Sequence, residues 1–283
     1  MKKVSFLVVI ILFMSYLSHA KENVLFSASL YGTPLFYNSS KIKDKGYSTG
    51  IYGYVGVGLK HSIEFDFERT KIDYKDGSTL NQNDITAIYT FYPAYGFKIK
   101  GGFHYIISDD KLTDKGKVFI LGAEKYSIYR WNAGIEGTVS LYQDYSPELT
   151  VYQISPYGGF YFGKYYKYGS FYTSLKGYFI KLSKDIGLGK NFNSVELNLS
   201  YFYKSFTGRV FGWFGKQSFA VRNGGFVVFN LSEKHKGGYG TSLSYRYKKL
   251  NTTLTAFKEI FEDIGYKNNA SLTVILVNIG YTF

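Results

Sequence analysis

The chain has 283 residues and a formal net charge of +13 at pH 7, and it contains no cysteine, which excludes disulfide bonds and cysteine-ligated metal sites. Aromatic residues make up 20% of the sequence, whereas proline occurs only 4 times. Scarce proline is typical of a chain whose amides donate to β-ladders. Basic residues scattered along such a chain favour anionic lipid head groups or solutes as partners and do not predict nucleic-acid binding.

The N-terminal region has the pattern of a signal peptide. Lys2 and Lys3 precede an apolar run from Val4 to Leu17, which is short for a membrane span. The small residues Ser18 and Ala20 predict cleavage after Ala20. We therefore expect residues 1–20 to be a cleaved signal peptide and residues 21–283 to form one domain; an uncleaved N-terminal anchor is the alternative.

After this region the sequence repeats stretches of about ten residues in which apolar and polar side chains alternate, as expected for β-strands. Clear examples are Ile63–Glu68, Phe97–Gly101, Trp131–Leu141, Val195–Tyr201 and Leu243–Tyr247. In a soluble sandwich the apolar face of each strand would point inwards. In a membrane barrel it would point outwards to lipid, and the polar face would line the lumen.

The predicted connections alternate between long and short. Longer polar segments are predicted at Thr33–Gly46, Lys75–Gln82, Ser108–Gly116, Gln143–Leu149 and Lys184–Asn191. Tighter turns are predicted near Lys60, at Pro93–Ala94, Tyr126–Tyr129, Gly163–Tyr168 and Ser205–Gly208. Long loops outside and short turns in the periplasm are typical of outer-membrane barrels, and termini on one side require an even strand count.

Counting from both ends predicts about fourteen strands, with twelve and sixteen as alternatives. The last three are predicted at Gly238–Lys248, Asn251–Phe261 and Ala270–Phe283, preceded by one that ends near Leu231. The ambiguous stretch is Thr207–Gly225, which could form one strand, two strands, or a strand and a wide turn.

The last strand ends on an aromatic residue. Phe283, Tyr281, Ile279 and Val277 form an apolar face of period two, and the alternate positions near the end are small or polar. With the signal peptide and the aromatic excess, this ending resembles that of the outer-membrane β-barrel, porin-like proteins of double-membraned bacteria. The resemblance implies an all-β fold, a single transmembrane antiparallel up-and-down barrel in the outer membrane. It also implies that Phe283, Tyr281 and Ile279 are a signal for the barrel-assembly machinery.

Strand parity predicts which side chains line the lumen. The candidates are Glu64, Asp66, Glu68, Lys98, Lys100, His104, Arg130, Glu136, Glu196, Arg246 and Lys248. The acids on the third strand and the lysines on the fifth should lie at similar depth, roughly 10 Å apart. They would either create a transverse field that screens solutes or pair and brace the wall.

Histidine is the main candidate for catalysis. His61 is expected at the short-turn rim, and His235 in a solvated loop. His104 is expected to face the lumen, where a serine and an acid would make it part of a hydrolase site for phospholipid or lipopolysaccharide. No local nucleophile motif supports that reading. Ser108–Lys111 is a weak candidate for Ca²⁺, and no metal or other cofactor is predicted.

The aromatic runs Phe160–Tyr166 and Tyr201–Lys204 lie where strands meet turns, which favours an interfacial girdle over an inward path for carbohydrate. The predicted function is an outer-membrane channel for passive diffusion of small hydrophilic solutes through a charged, water-filled lumen. The expected partners are outer-membrane lipid, lipopolysaccharide and the assembly machinery. Two alternatives remain: an enzyme acting on lipid or lipopolysaccharide, and a non-conducting barrel that binds an envelope or export partner, expected if a loop such as Lys184–Asn191 plugs the lumen.

Overall fold

The computed structural model describes residues 24–231, 233–263, 265–266 and 268–283. The predicted signal peptide lies outside these residues. The strands are β1 (Val24–Asn38), β2 (Lys43–Val57), β3 (His61–Tyr74), β4 (Thr79–Ala94), β5 (Phe97–Ser108), β6 (Lys117–Ser127), β7 (Trp131–Tyr142), β8 (Leu149–Lys164), β9 (Gly169–Leu182), β10 (Asn191–Tyr203), β11 (Phe206–Gln217), β12 (Val221–Arg222), β13 (Val227–Val228), β14 (Lys234–Tyr247), β15 (Leu250–Glu262) and β16 (Asn269–Thr282). A one-turn helix, α1 (Tyr165–Tyr168), joins β8 to β9.

Fourteen of these strands form a closed antiparallel barrel. Each barrel strand pairs with its neighbours along the chain, β1 closes the ring by pairing with β16, and β11 pairs directly with β14. The prediction of an all-β, up-and-down barrel with fourteen strands is confirmed. No helix in the described ranges is long and apolar enough to cross a membrane.

Side chains alternate between the outer surface and the lumen, as the pleat requires. On β16, Ile275, Val277, Ile279 and Tyr281 are all exposed on the outer surface. The last residue extends the pairing of β16 with β1, which closes the barrel. The Phe283 amide donates to the Phe26 carbonyl at 2.9 Å, and the two rings lie 4.8 Å apart. The outer surface is thus apolar, while recognition of this ending by the assembly machinery stays a prediction.

Several strands extend further than predicted. The segment Thr33–Gly46 is mostly strand, because β1 continues to Asn38 and β2 begins at Lys43. Similarly, β4 begins at Thr79 and β11 at Phe206, inside a predicted loop and a predicted turn. The ladders continue beyond the regions of clear alternation, since backbone pairing does not require an apolar face. The barrel wall therefore rises above the apolar belt.

The eleventh strand was placed wrongly near Leu231. It is β11, which includes the ambiguous run Val210–Gly215, and the chain leaves the wall after Gln217. Residues 218–231 and 233, here named the inward segment, fold into the lumen before β14 begins. Their apolar side chains pack against the inner wall, and apolar composition alone does not distinguish that environment from lipid.

Candidate functional site

The inward segment fills the end of the lumen that carries the long loops, here named the long-loop end; the opposite end is the short-turn end. Phe219 and Ala220 are fully buried in an apolar cluster with the inner faces of several strands. Val221 and Val228 pack with Ile88, Val118 and Ile120 of the wall. Leu231 packs against a third cluster, which contains Leu35, Ile72, Leu80 and Val274. This half of the lumen is therefore a packed core.

Polar contacts fix the segment at intervals along its length. The Gln153 side chain on β8 donates to the Val221 carbonyl at 2.6 Å and accepts from the Val221 amide at 2.9 Å. Asn230 donates to the Gln82 side chain at 2.6 Å, and Glu233 pairs with Lys43 at 2.8 Å. The backbone of Val221 thus finds a side-chain partner on the wall, and Asn230 and Glu233 hold the segment through their own side chains.

Arg222 makes the most extensive of these contacts. Its guanidinium nitrogens lie 2.7 Å from Glu196 on β10 and 3.1 Å from Glu259 on β15. Its central carbon lies 5.0 Å from the centre of the Trp213 ring on β11, within cation–π range. Only 14% of the side chain is exposed, so this cation is held by paired charges and ring faces rather than by water.

The tip of the segment approaches the wall at a glycine. Gly225 has a φ of +114°, and a Cβ there would lie 2.4 Å from the Ile120 side chain. Only glycine accommodates both that backbone conformation and that contact. Beyond it, the Phe226 ring packs edge-on against Tyr52 at 5.7 Å.

The other half of the barrel is open and polar. A cavity of about 800 Å³ lies at the short-turn end, with Tyr161, Lys204, Arg246 and Asn251 among its lining residues. A second cavity of about 460 Å³ separates the tip of the inward segment from β1, β2 and β3. The inward segment therefore borders the second cavity, whereas the first cavity lies at the short-turn end.

The predicted acids of β3 line the second cavity. Tyr52 donates to Glu64 at 2.5 Å, and the Tyr31 hydroxyl lies 3.0 Å from Asp66 and 2.9 Å from Glu68. Among the residues that the structure describes, no Lys or Arg forms an ion pair with these three carboxylates. They are held by neutral hydroxyl donors, which leaves their charge uncompensated at short range.

The predicted bases of β5 also face the lumen, but they pair with other acids. Lys98 lies 3.1 Å from Glu124 on β6. Lys100 contacts Glu136 on β7, which Lys176 on β9 contacts from its other side. The acids of β3 and the bases of β5 therefore share one lumen without pairing with each other, and the acids of β3 leave unpaired negative charge around the second cavity.

His104 lies in a buried polar network. Its ring nitrogens lie 2.8 Å from the Thr86 hydroxyl and 3.1 Å from the Asp84 carboxylate. Gln82 donates to Asp84 at 2.8 Å and accepts from Asn230, which connects the network to the inward segment. Thr86 is 1% exposed, so the one hydroxyl in contact with His104 is closed to a lipid substrate.

The other two histidines differ in outcome. His61 is exposed at the first position of β3, where its ring lies 5.2 Å from Phe91. The expectation of a solvated His235 is wrong: it is buried near the start of β14, with its ring stacked on Phe229 at 4.1 Å. The inward segment covers it, and that cover has no local sequence signal.

The remaining candidates occupy different places. Glu196 is the Arg222 partner on β10. Arg130 and Lys248 lie in tight turns, exposed at the short-turn end, and Arg246 lines the first cavity there. Asp109, proposed for Ca²⁺, accepts the Asn81 side-chain amide at 2.9 Å, and no cluster of acids and histidines with metal-binding geometry occurs in the described ranges.

The loop Lys184–Asn191, which would plug the lumen under the alternative of a non-conducting barrel, covers the rim instead. In the connection 183–190, Leu188 packs onto the apolar cluster around Phe219. The amides of Gly189 and Gly187 donate to Asp185 and hold the pKa of that carboxyl below its usual range. The plug of the lumen is the inward segment.

Aromatic residues near the short turns point both ways. Phe160 and Phe162 are exposed on the outer surface, as a girdle requires. Tyr161 points into the first cavity, where its ring lies 4.6 Å from that of Tyr172. The run thus contributes to both the girdle and the lumen.

Sequence reasoning missed the residues that hold the inward segment, above all Arg222, Gln153 and Glu259. A signal was present in the apolar run Phe226–Phe229, which lacks alternation and follows two glycines. Such a run fits a buried segment better than a strand with one wet face.

Comparison with known proteins identifies the class of fold. No protein-family model and no curated protein matches the sequence. Among solved structures, a bacterial polysaccharide outer membrane secretin has a TM-score of 0.58 at 8% identity, covering 92% of this chain and 98% of its own. The TodX deltaS2S3 mutant, a monoaromatic hydrocarbon channel, has a TM-score of 0.54 at 8% identity, with coverages of 94% and 91%. A Pseudomonas aeruginosa FadL homologue has a TM-score of 0.53 at 8% identity, with coverages of 93% and 90%. The fold is that of outer-membrane β-barrel proteins, in agreement with the predicted location in the cell outer membrane.

Proposed function

We propose that the protein is an outer-membrane channel for small hydrophilic solutes and that the inward segment closes it. The observation that carries the proposal is the division of the lumen into an open, charged half and a half packed by one segment of chain. A fourteen-strand barrel has room for water once that segment is removed. The long loops would face the outside and the short turns the periplasm.

Solutes would pass by diffusion, tuned by the charges of the wall. Glu64, Asp66 and Glu68 lack basic partners in the described structure, whereas Lys98 and Lys100 contact acids. The lumen would therefore favour cations through the negative potential of β3, rather than through a field between β3 and β5. Outer-membrane lipid and lipopolysaccharide would surround the apolar belt, and Phe283 would serve assembly.

Opening would leave the barrel wall intact. Because β11 and β14 pair directly with each other, the inward segment is attached to the wall by its ends, side-chain hydrogen bonds, ion pairs and apolar packing. None of these contacts is a barrel ladder bond. The segment can therefore move while all fourteen strand pairings persist.

Planar-bilayer recording tests the proposal. A variant in which Asn-Gly replaces residues 218–233 should conduct steadily, since Gln217 and His235 pair across the ends of β11 and β14 and a short hairpin can join them. Wild-type protein should open rarely and briefly. The same replacement of residues 184–190 is the matched control, which should stay closed because that loop covers the rim.

A folded 218–233 variant without discrete channels would sink the proposal. Folding is checked by the heat-dependent electrophoretic mobility of the barrel. Equal, steady conductance of wild type and variant would instead show that the segment does not close the pore.

A non-conducting barrel that binds an envelope partner is the second candidate. The three apolar clusters between the inward segment and the wall favour it, because they resemble a permanent protein core more than a gate. This candidate predicts that the wild-type protein remains closed under every voltage and solute tested. It also predicts that hydrogen exchange of the backbone amides in the inward segment is as slow as that of the barrel strands.

A further inference from the structure

The surroundings of Arg222 have the composition of a guanidinium receptor. Two carboxylates each contact one nitrogen of the fork, Glu196 at 2.7 Å and Glu259 at 3.1 Å. The Trp213 ring lies 5.0 Å from the guanidinium carbon, and Tyr178 adds a second ring at 6.0 Å. Carboxylate pairs and aromatic faces recognise the flat, delocalised guanidinium cation better than they recognise a compact ammonium.

The barrel wall supplies both carboxylates and the rings of Trp213 and Tyr178, whereas the inward segment supplies the cation and the Phe229 ring, which lies 5.6 Å from the guanidinium carbon. Glu196, Trp213 and Glu259 belong to β10, β11 and β15, whereas Arg222 belongs to the inward segment. When the segment leaves, the two carboxylates lose the cation that lies closest to both. The unpaired acids of β3 share the same lumen, so the local potential favours a replacement cation.

The receptor also lies next to the open, polar half of the barrel. Arg209, whose side chain is 40% exposed, lies 3.9 Å from Glu196. Asn223 and Gly224, the two residues after Arg222, line the 460 Å³ cavity that contains the β3 carboxylates. A small cation concentrated in that cavity therefore lies next to the receptor.

We propose that Glu196, Glu259 and Trp213 form a binding site for a guanidinium-bearing solute, which Arg222 occupies in the closed barrel. Such a solute and the inward segment compete for one site, because both present the same planar cation. That this competition opens the pore rests on the proposed function, whereas the binding site itself does not.

The site is tested by a binding titration on refolded barrel in detergent micelles. Arg222→Ala vacates the site, and methylguanidinium chloride is then titrated by calorimetry. We expect one equivalent to bind at least tenfold more tightly than to wild type, and more tightly than methylammonium chloride binds. Adding Glu196→Gln and Glu259→Gln to Arg222→Ala should abolish binding. The proposed binding site would be refuted if the Arg222→Ala variant bound methylguanidinium no more tightly than wild type. It would also be refuted if the triple variant still bound this cation.

Competition is tested with Arg222 in place, so that the result does not depend on how that variant folds. The native chain has no cysteine, and Ala220 lies within the inward segment, fully buried against the inner wall, so Ala220→Cys introduces a single protected thiol. Methylguanidinium should accelerate its labelling severalfold and saturably, while methylammonium at equal ionic strength should not. In Ala220→Cys with Arg222→Ala, labelling should already be fast and insensitive to either cation.

A labelling rate that methylguanidinium leaves unchanged in Ala220→Cys would overturn the competition. Neither measurement uses conductance, so a barrel that binds methylguanidinium but never conducts would refute the channel and retain the site.

Discussion

Gln153 shows how single side chains replace a strand ladder. It is 3% exposed on β8, and its amide contacts both backbone groups of Val221. Within the described residues, the inward segment has the short pairing of β12 with β13 and backbone bonds from Phe229 to Ala220 and from Glu233 to Leu231. Its other buried amides and carbonyls need partners of the kind that Gln153 provides. The position of the segment is therefore specified by a few wall residues.

Replacing that side chain should loosen the segment and leave the wall intact. In Gln153→Ala, the amide and carbonyl of Val221 lose their partner, at a cost of about 1–3 kcal/mol for each buried group. We expect hydrogen exchange of the Val221 amide to accelerate at least tenfold, measured by mass spectrometry or NMR, with β16 amides unchanged.

Gln143→Ala is the control, since Gln143 is exposed in a loop. Equal protection of Val221 in the Gln153→Ala variant and in wild type would show that packing alone holds the segment.

At the same scale, the direction of a side chain was predictable from sequence, but its partner was not. The inward orientation of Glu64 follows from strand parity. The contact of Lys100 with Glu136 and of Glu136 with Lys176 depends on the stagger of the four strand pairs from β5 to β9, which no single strand encodes.

The strands divide their residues sharply between lipid and lumen. Leu254, near the middle of β15, is 52% exposed on the outer surface, while its neighbour Thr253 faces the lumen. Its cross-strand partner Val277 is on the same outer face. A charge at position 254 would therefore meet hydrocarbon, whereas a charge at position 253 would face the lumen.

Leu254→Arg should therefore destabilise the barrel by about 2–4 kcal/mol, the usual cost of arginine on the lipid face near the bilayer midplane. The measurement is equilibrium unfolding by denaturant in phospholipid vesicles, followed by tryptophan fluorescence. Thr253→Arg is the matched control and should cost less, since water or lumen carboxylates can solvate the new charge. A larger loss for Thr253→Arg would contradict the assignment of faces.

Elements were predictable where alternation was strong. Trp131–Leu141 became β7 almost without change. The prediction failed at Leu231, because an apolar run has the same composition against lipid and against an inner wall. It also failed at Thr33–Gly46, since backbone pairing continues where both faces are polar.

Viewed as a whole, the molecule places the acids of β3 and the inward segment in one lumen. The acids of β3 border the cavity beneath the tip of the inward segment, whereas Lys98 and Lys100 contact acids on β6 and β7. Any selectivity of the opened pore would thus arise next to its closing element.

In the variant with residues 218–233 replaced, the combination of Glu64→Gln, Asp66→Asn and Glu68→Gln should weaken cation preference, because it removes the unpaired negative charge. The measurement is the reversal potential across a tenfold KCl gradient, which should move towards the anion side. Lys98→Gln with Lys100→Gln should move it the opposite way, because two positive charges are lost, although Glu136 keeps its contact with Lys176. An unchanged reversal potential in the acid-to-amide variant would refute this assignment of selectivity.

The two ends of the inward segment meet the wall at strands that pair with each other, at Gln217 and His235. The segment is in effect a ligand that its receptor carries on a double tether. Its local concentration is set by the length of chain between the anchors and not by the number of barrels in the membrane. If the inward segment closes the pore as proposed, closing would be a first-order event, and a barrel alone in a vesicle should close as fast as one in a crowded membrane.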